Sequence, residues 1–184
     1  MPTTTRIHNF SAGPAVLPLP VLEEAQRELV SLPGIGMSVM EVSHRSETFE
    51  DLLNRAIEDI RALASIPTNY RVLMLQGGAS LQFSMVPMNL LVAGATADYI
   101  DTGSWSDKAI KEAKKVGMVN VAATSKGDKY TRIPTQSELM LTTGASYVHI
   151  TTNNTSEGTQ WKTMPADAGV PLVADASSDI FHGP

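Results

Sequence analysis

The sequence predicts an α/β fold, a mainly parallel sheet with helices on both faces. Three observations predict it. Before residue 70 the apolar residues recur at helical spacing only. From residue 71 onward, short apolar runs of strand length alternate with amphipathic stretches of helix length. The first of these runs, "YRVLML", leads into "QGGAS", a set of small residues placed where a strand would hand over to a helix. Small residues let a backbone approach a ligand closely, and amides at a helix amino end favour an anion.

The elements come in order. Residues 1–18 are rich in Thr, Pro and Gly and read as an irregular amino-terminal segment. Pro18 and Pro20 suit the opening of a helix near residue 20, where a missing N–H costs little. Val21, Leu22, Ala25 and Leu29 share one face of it, and "LPGIGMS" ends it. A second helix starts after Ser46, with Phe49, Leu52, Leu53, Ala56, Ile57, Ile60 and Leu63 on one face. "RVLML" (71–75) reads as a strand, and a helix continues from its glycine-rich turn to about Leu91. "ADYID" (97–101) reads as a strand, "SWSDKAIKEAKKVG" (104–117) as a helix and "VNVAAT" (119–124) as a strand. Residues 125–144 are polar and carry no clear period. "SYVHIT" (146–151) and "PLVAD" (171–175) complete the strands. Residues 19–184 are thus expected to form one α/β domain.

Composition narrows the function classes. Apolar residues make up 42% of the 184, enough for a core, and charged residues 18%. A net charge of −5 and the lack of a basic stripe argue against nucleic acid as a partner. The densest basic cluster, "KEAKK" at 111–115, reads as a solvated helix face. No cysteine is present, which rules out disulfides and thiolate metal sites and suits the cytoplasm. There is no signal-like apolar stretch at the amino end and no run of 18 apolar residues, so no membrane span is expected.

In open α/β sheets, ligands bind beyond the carboxyl ends of the strands. The residues just past each strand are therefore the place to look. Gly77, Gly78, Ala79 and Ser80 come after the first, and Thr102, Gly103, Ser104 and Trp105 after the second. Asn153, Asn154 and Thr155 come after "SYVHIT", and "PLVAD" ends on Asp175. One sheet edge could hold a phosphate cup, an aromatic plate, a hydroxyl and a carboxylate. That set suits a flat, phosphorylated, nitrogen-containing ring. A carboxylate beside a pyridine nitrogen keeps it protonated, and a protonated pyridine is an electron sink of the pyridoxal phosphate kind. Taken singly, each residue has an ordinary reading: a plain turn at 77–80, a packing Trp105, a turn-capping Asp175. His149, inside a strand, reads as a core or supporting histidine. His44 and Arg45 stand side by side in "GMSVMEVSHRS", where a guanidinium fork and an imidazole suit an anion or a surface salt bridge.

Six ordered motifs carry a resemblance: "NFSAGPAVLP", "GMSVMEVSHRS", "QGGASLQFSMVPMNLL", "TGSWSDKAIKEAKKVG", "YVHITTNNTSEGTQ" and "VADASSDI". Together, from about Asn9 to Ile180, they resemble the phosphoserine aminotransferase family, class-V aminotransferases of fold-type I that use pyridoxal 5'-phosphate. The resemblance implies that the chain is part of the cofactor-binding large domain. It implies that the amides of Ala79 and Ser80 hold the cofactor phosphate, Trp105 stacks on its ring, Thr155 bonds to it and Asp175 pairs with the ring nitrogen. His44 and Arg45 would bind the substrate's anionic groups, in a homodimer. The family reaction moves the amino group of glutamate to 3-phosphonooxypyruvate, giving O-phosphoserine in serine biosynthesis. Some members also serve pyridoxine biosynthesis.

The sequence also departs from the family. Some relatives carry Arg where Ser80 stands, and His182 with Gly183 replaces a usual Ser-Arg-Pro. The lysine that holds the cofactor in the family lies after the Asp strand. The seven lysines here, at 108, 111, 114, 115, 126, 129 and 162, all precede Asp175. The chain therefore reads as the amino-terminal half of such an enzyme, with the carboxy-terminal remainder absent, no catalytic lysine and no transamination by itself. The alternative from another class is a non-catalytic α/β module that binds a phosphorylated ligand or a partner chain. A nucleotide-binding domain is disfavoured, because neither G-x-G-x-x-G after the first strand nor a Walker lysine occurs.

Overall fold

The structure is a computed structural model, and it describes residues 6–11, 15–166 and 168–182. The chain forms two units, Met1–Leu73 and Met74–Pro184.

The first unit is helical. Helix α1 spans Leu19–Glu28, with Pro20 inside its first turn, and α2 spans Glu47–Leu63. Between them a short 3-10 turn, Val39–Glu41, is closed by a capping box. The Ser38 hydroxyl accepts from the Met40 N–H and the Glu41 carboxylate accepts from the Ser38 N–H. Ser46 caps α2 by accepting from the Phe49 N–H, and Glu47 and Glu50 in the first turn complement the helix dipole. Arg61, in the last turn, donates to the carbonyls of Ile66, Pro67 and Tyr70 and so folds the exit segment back on the helix.

In the second unit, helix α3 (Gly78–Leu90) precedes strand β1 (Thr96–Asp101), helix α4 (Ser104–Val116) and strand β2 (Met118–Thr124). Next come strand β3 (Val148–Thr151), a small antiparallel hairpin of β4 (Asn153–Asn154) and β5 (Thr159–Gln160), and strand β6 (Leu172–Asp175). The main sheet has the order β2-β1-β3-β6, and every pairing in it is parallel. All four strands therefore end on the same edge, with β6 at one side of the sheet.

The pleat sends Ala97 and Tyr99 to one face, where they pack with Phe83 of α3 and Ala109, Ile110 and Ala113 of α4. Ile100, Val148 and Ile150 face the other way. Loop residues Leu139, Leu141, Trp161 and Val170 cover them, which gives the polar stretch 125–144 a packing role that its sequence hid. That stretch is shaped by two 3-10 turns, Lys126–Asp128 and Gln136–Glu138, tied by Arg132 to both Asp128 and Glu138.

One expected strand does not form. Residues 72–75 are apolar, yet residues 71–75 form no helix or strand, and among the described residues no backbone–backbone hydrogen bond involves them. Leu73, Met74 and Leu75 are exposed. A strand needs a ladder partner as well as a suitable composition, and these residues have the composition alone.

Candidate functional site

Two helices begin at the carboxyl edge of the sheet, and their amino ends differ. At α3 the chain turns through Gly77, with φ +97, and Gly78, with φ +61. A Cβ on Gly77 would lie 2.2 Å from Leu81 Cδ2, so both the backbone angle and the space demand glycine there. The first intrahelical bond is Leu81 N–H to the Gly77 carbonyl. The amides of Gly78, Ala79 and Ser80 have no acceptor among the described residues. Such a row of unpaired N–H groups at the positive end of a helix is an anion cradle.

At α4 the equivalent amides of Ser104 and Trp105 are already satisfied. The Thr102 and Gly103 N–H groups donate to Ser106 Oγ, at 2.8 and 2.9 Å. The Trp105 N–H donates to Asn154 Oδ1 at 3.1 Å, and Ser104 donates through both N–H and hydroxyl to Glu157 Oε1. Asn154, fully buried, also donates to Thr102 Oγ1 at 2.9 Å. Gly103 makes this possible by its lack of a side chain, since a Cβ would meet Asn154 Cγ at 2.5 Å.

Ala79 and Asp175 line one cleft of about 280 Å³, with Phe83, Val86, His149 and Val173 among its walls. The Asp175 carboxylate is held by the turn after β6. Its Oδ1 accepts from the Ser177 N–H at 3.2 Å and from the Ser177 hydroxyl at 2.5 Å. Its Oδ2 keeps its acceptor capacity. His149 lies two registers back on the same face, paired in the sheet with Tyr99 on one side and Val173 on the other. Its ring stacks on Tyr99 at 4.6 Å. Burial pushes the imidazole down to about 4, against the opposing pull of the Asp175 charge, so it is neutral at pH 7. Its Nδ1 is buried and has no partner among the described residues.

Trp105 and Thr155 form the other part of the edge. The indole Nε1–H donates to Thr155 Oγ1 at 3.2 Å, and the Lys108 ammonium lies 3.9 Å from the ring centroid. With the cation on one indole face, stacking is left to the other. Strand β1, which leads to Trp105, and β6, which ends in Asp175, both flank β3. The two residues are thus two ladder steps apart on one edge.

Of the residues singled out from sequence, the structure places Ala79, Trp105, Thr155 and Asp175 at this edge, and Ser80 follows Ala79 in the first turn of α3 without lining the cleft. His44 and Arg45 belong to the first unit, in the exposed turn before α2. Neither side chain has a hydrogen-bond or ion-pair partner among the described residues. His182 closes a turn through its N–H to the Asp179 carbonyl, and Gly183 lies outside the described residues. Sequence reasoning missed Asn154, Ser177 and Lys108. Asn154 and Ser177 lie within two positions of a residue it did choose, and polar side chains beside a functional residue in a turn are the signal that was available.

A family model for class-V aminotransferases matches residues 7–184. A phosphoserine aminotransferase of Herpetosiphon aurantiacus is 53% identical over 178 residues, covering 97% of this chain and 49% of the relative. One of Geobacillus kaustophilus is 54% identical over 179 residues, with the same two coverages, 97% and 49%. The solved phosphoserine aminotransferase from Bacillus circulans subsp. alkalophilus superimposes with a TM-score of 0.88 at 50% identity, covering 92% of this chain and 47% of that one. A pyridoxal-phosphate-bound phosphoserine aminotransferase from Trichomonas vaginalis gives 0.87 at 37% identity, covering 95% and 49%. The chain spans about half the length of the relatives it matches.

Proposed function

The chain belongs to the class-V aminotransferase family, and on that premise we propose that it supplies the cofactor-holding edge of a pyridoxal-phosphate-dependent phosphoserine aminotransferase. The reaction would be transfer of the amino group of glutamate to 3-phosphonooxypyruvate, yielding O-phospho-L-serine. Residues 19–184 would be part of the large domain. The reading includes a homodimer and a cytoplasmic location, which the lack of cysteine suits.

The observation that carries it is one cleft lined by both Ala79, in a row of three amides without acceptors among the described residues, and the fixed carboxylate of Asp175. The donor set fits the cofactor. The amides of Gly78, Ala79 and Ser80 would hold a dianionic phosphate. Asp175, fixed by Ser177, would offer Oδ2 to a pyridine N–H and hold a proton there. Trp105 would cover one face of the ring with the indole face that Lys108 leaves free, and the Thr155 hydroxyl would donate to a ring substituent. Pyridoxal phosphate, when bound, supplies an electron-withdrawing ring that stabilises negative charge at a substrate carbon. His44 and Arg45 would bind the substrate's phosphate or carboxylate. No lysine lines the cleft, so these residues bind, orient and hold the ring proton but do not themselves move the substrate proton. The α3 cradle taken by itself also fits a second reading, a phosphate-ligand module without catalysis.

The test is an absorbance titration of the protein with pyridoxal phosphate and with phosphate-free pyridoxal. The α3 cradle predicts that loss of the phosphate weakens binding at least about tenfold, the scale of charge-assisted hydrogen bonds. Equal affinities would rule out the cradle as the phosphate site. Formation of O-phosphoserine from glutamate and 3-phosphonooxypyruvate separates the enzyme from the module.

A further inference from the structure

Trp105 and Thr155 reside on separate segments, the start of α4 and the β4–β5 loop, and something must bring them into register. The direct bond between them is exposed to water. The loop's other anchors are buried or half-buried. Asn154 bridges the Trp105 N–H and the Thr102 hydroxyl, and Thr159 donates from its hydroxyl to the Thr102 carbonyl at 2.8 Å. Both of these sit where the loop enters and leaves the hairpin. Apart from the exposed Thr155 bond, the side-chain anchor of the tip among the described residues is Glu157, whose Oε1 accepts twice from Ser104, the first residue of α4. Its Oε2 is sealed from water and has no partner among the described residues. A carboxylate closed off in this way has the positive end of α4 as its compensation.

We propose that Glu157 is a positioning residue: its carboxylate pins the tip of the β4–β5 loop to the amino end of α4 and so holds Thr155 against Trp105 in the geometry that receives the ring. The assignment rests on the proposed roles of Trp105 and Thr155. Glu157 touches neither the cleft nor the indole, and acts only through the loop. Together with Asn154, the clamp occupies the Ser104 and Trp105 amides, whose counterparts at α3, Gly78 and Ala79, have no acceptor among the described residues.

The chain's two tryptophans are Trp105 and Trp161, so Trp161→Phe isolates the reporter. Trp161 Nε1 is buried without a partner, so phenylalanine keeps the packing and removes only an unsatisfied donor. In that background, Trp105 emission is followed during titration with pyridoxal phosphate, and acrylamide quenching is measured without ligand. Glu157→Ala is expected to weaken binding about tenfold and to raise quenching of the ligand-free protein. Glu157→Gln, which keeps a carbonyl acceptor for Ser104, is expected to stay within about threefold. Ser104→Ala, which loses only the hydroxyl bond, is expected to fall between the parent and Glu157→Ala. It also carries the test if Glu157→Ala does not fold. Identical titration and quenching in all the variants would overturn the clamp. If pyridoxal phosphate binds by absorbance but Trp105 emission never responds, the role of Trp105 fails instead, and the quenching series alone decides the clamp.

Discussion

His149 makes the second unit sensitive to acid in a way that can be calculated and isolated. Its imidazole is 3% exposed, stacked on Tyr99, and held by burial at about 4 against a free value of 6.5. The folded form thus disfavours the proton that the unfolded chain accepts. Between pH 6.5 and 4 the unfolded state binds more protons, so stability rises with pH across that window and falls on acidification. The stabilisation is fully present above the unfolded value. Each pKa unit corresponds to about 1.4 kcal/mol, so the shift from 6.5 to about 4 amounts to about 3 kcal/mol lost by pH 4.

The perturbation is His149→Phe, which keeps the ring stacked on Tyr99 and removes both the titration and the unpartnered Nδ1. Both tryptophans lie in the second unit, so urea unfolding monitored by tryptophan fluorescence reports that unit. The quantity of interest is the stability of the parent minus that of the variant, measured from pH 7 to pH 4. Carboxylates common to both cancel in it. The difference should fall by about 3 kcal/mol on going to pH 4. Removing the nearby negative charge with Asp175→Asn should steepen the fall, because Asp175 raises the imidazole's affinity for a proton. A difference that stays flat over the window would mean that His149 is solvated in the folded state, and would refute the burial argument.

The same geometry sets other expectations. In an active enzyme containing this segment, Asp175→Ala should lower turnover far more than cofactor affinity, and near-normal kcat at saturating pyridoxal phosphate would remove Asp175 from the ring nitrogen. Arg45→Ala should weaken substrate binding by about 1.5–3 kcal/mol, the scale of a charged hydrogen bond, and an unchanged KM for both substrates would count against it. Gly103→Ala needs no unusual backbone angle but forces a Cβ to within 2.5 Å of Asn154 Cγ, so it should cost about 1–3 kcal/mol in chemical denaturation. Borohydride treatment of the 184-residue chain with pyridoxal phosphate should label no single lysine in preference to the others, as peptide mass mapping would show, and selective labelling of one would refute this.

The parallel strands were legible because each is a short apolar run next to an amphipathic helix, and α2 was legible from Ser46 and the face from Phe49 to Leu63. The sheet edge was legible too at Trp105, Thr155 and Asp175, which come at or just after strand ends, whereas Ala79 and Ser80 were chosen from a glycine-rich turn behind a strand that does not form. The features that stayed hidden depend on distant partners. Residues 71–75 have every local property of a strand and lack only a neighbour, which no local pattern can supply. The anchoring of α4 by Asn154 and Glu157 joins residues about fifty positions apart in the chain. The packing of Leu139 and Leu141 under the sheet comes from a loop whose polarity masked them.

The contrast between the two helix starts also says which part of the site is built before any ligand arrives. At α4 the Ser104 and Trp105 amides of the first turn are matched by side chains, and Asp101 behind it accepts from Ser106, Thr124 and Tyr130 at once. That corner is a closed network, and its Tyr130 hydroxyl is held protonated by burial and by the Asp101 carboxylate. A closed network can fix the indole, and the Ser104 and Trp105 amides in it are already taken. At α3 the reverse holds, since Gly77 and Gly78 spend conformational freedom to present amides that nothing in the second unit's described residues accepts. Exposed amides left without protein partners are hydrated, and a phosphate gains by replacing that water with a fixed set of dipoles. On the proposed reading, orientation of a flat ligand would fall to the rigid corner and phosphate affinity to the open one. Substitutions at Asn154 should disturb the ring's placement while leaving phosphate affinity nearly intact. A Gly77→Ala change should do the opposite, because its Cβ would drive Leu81 out of the first turn of α3.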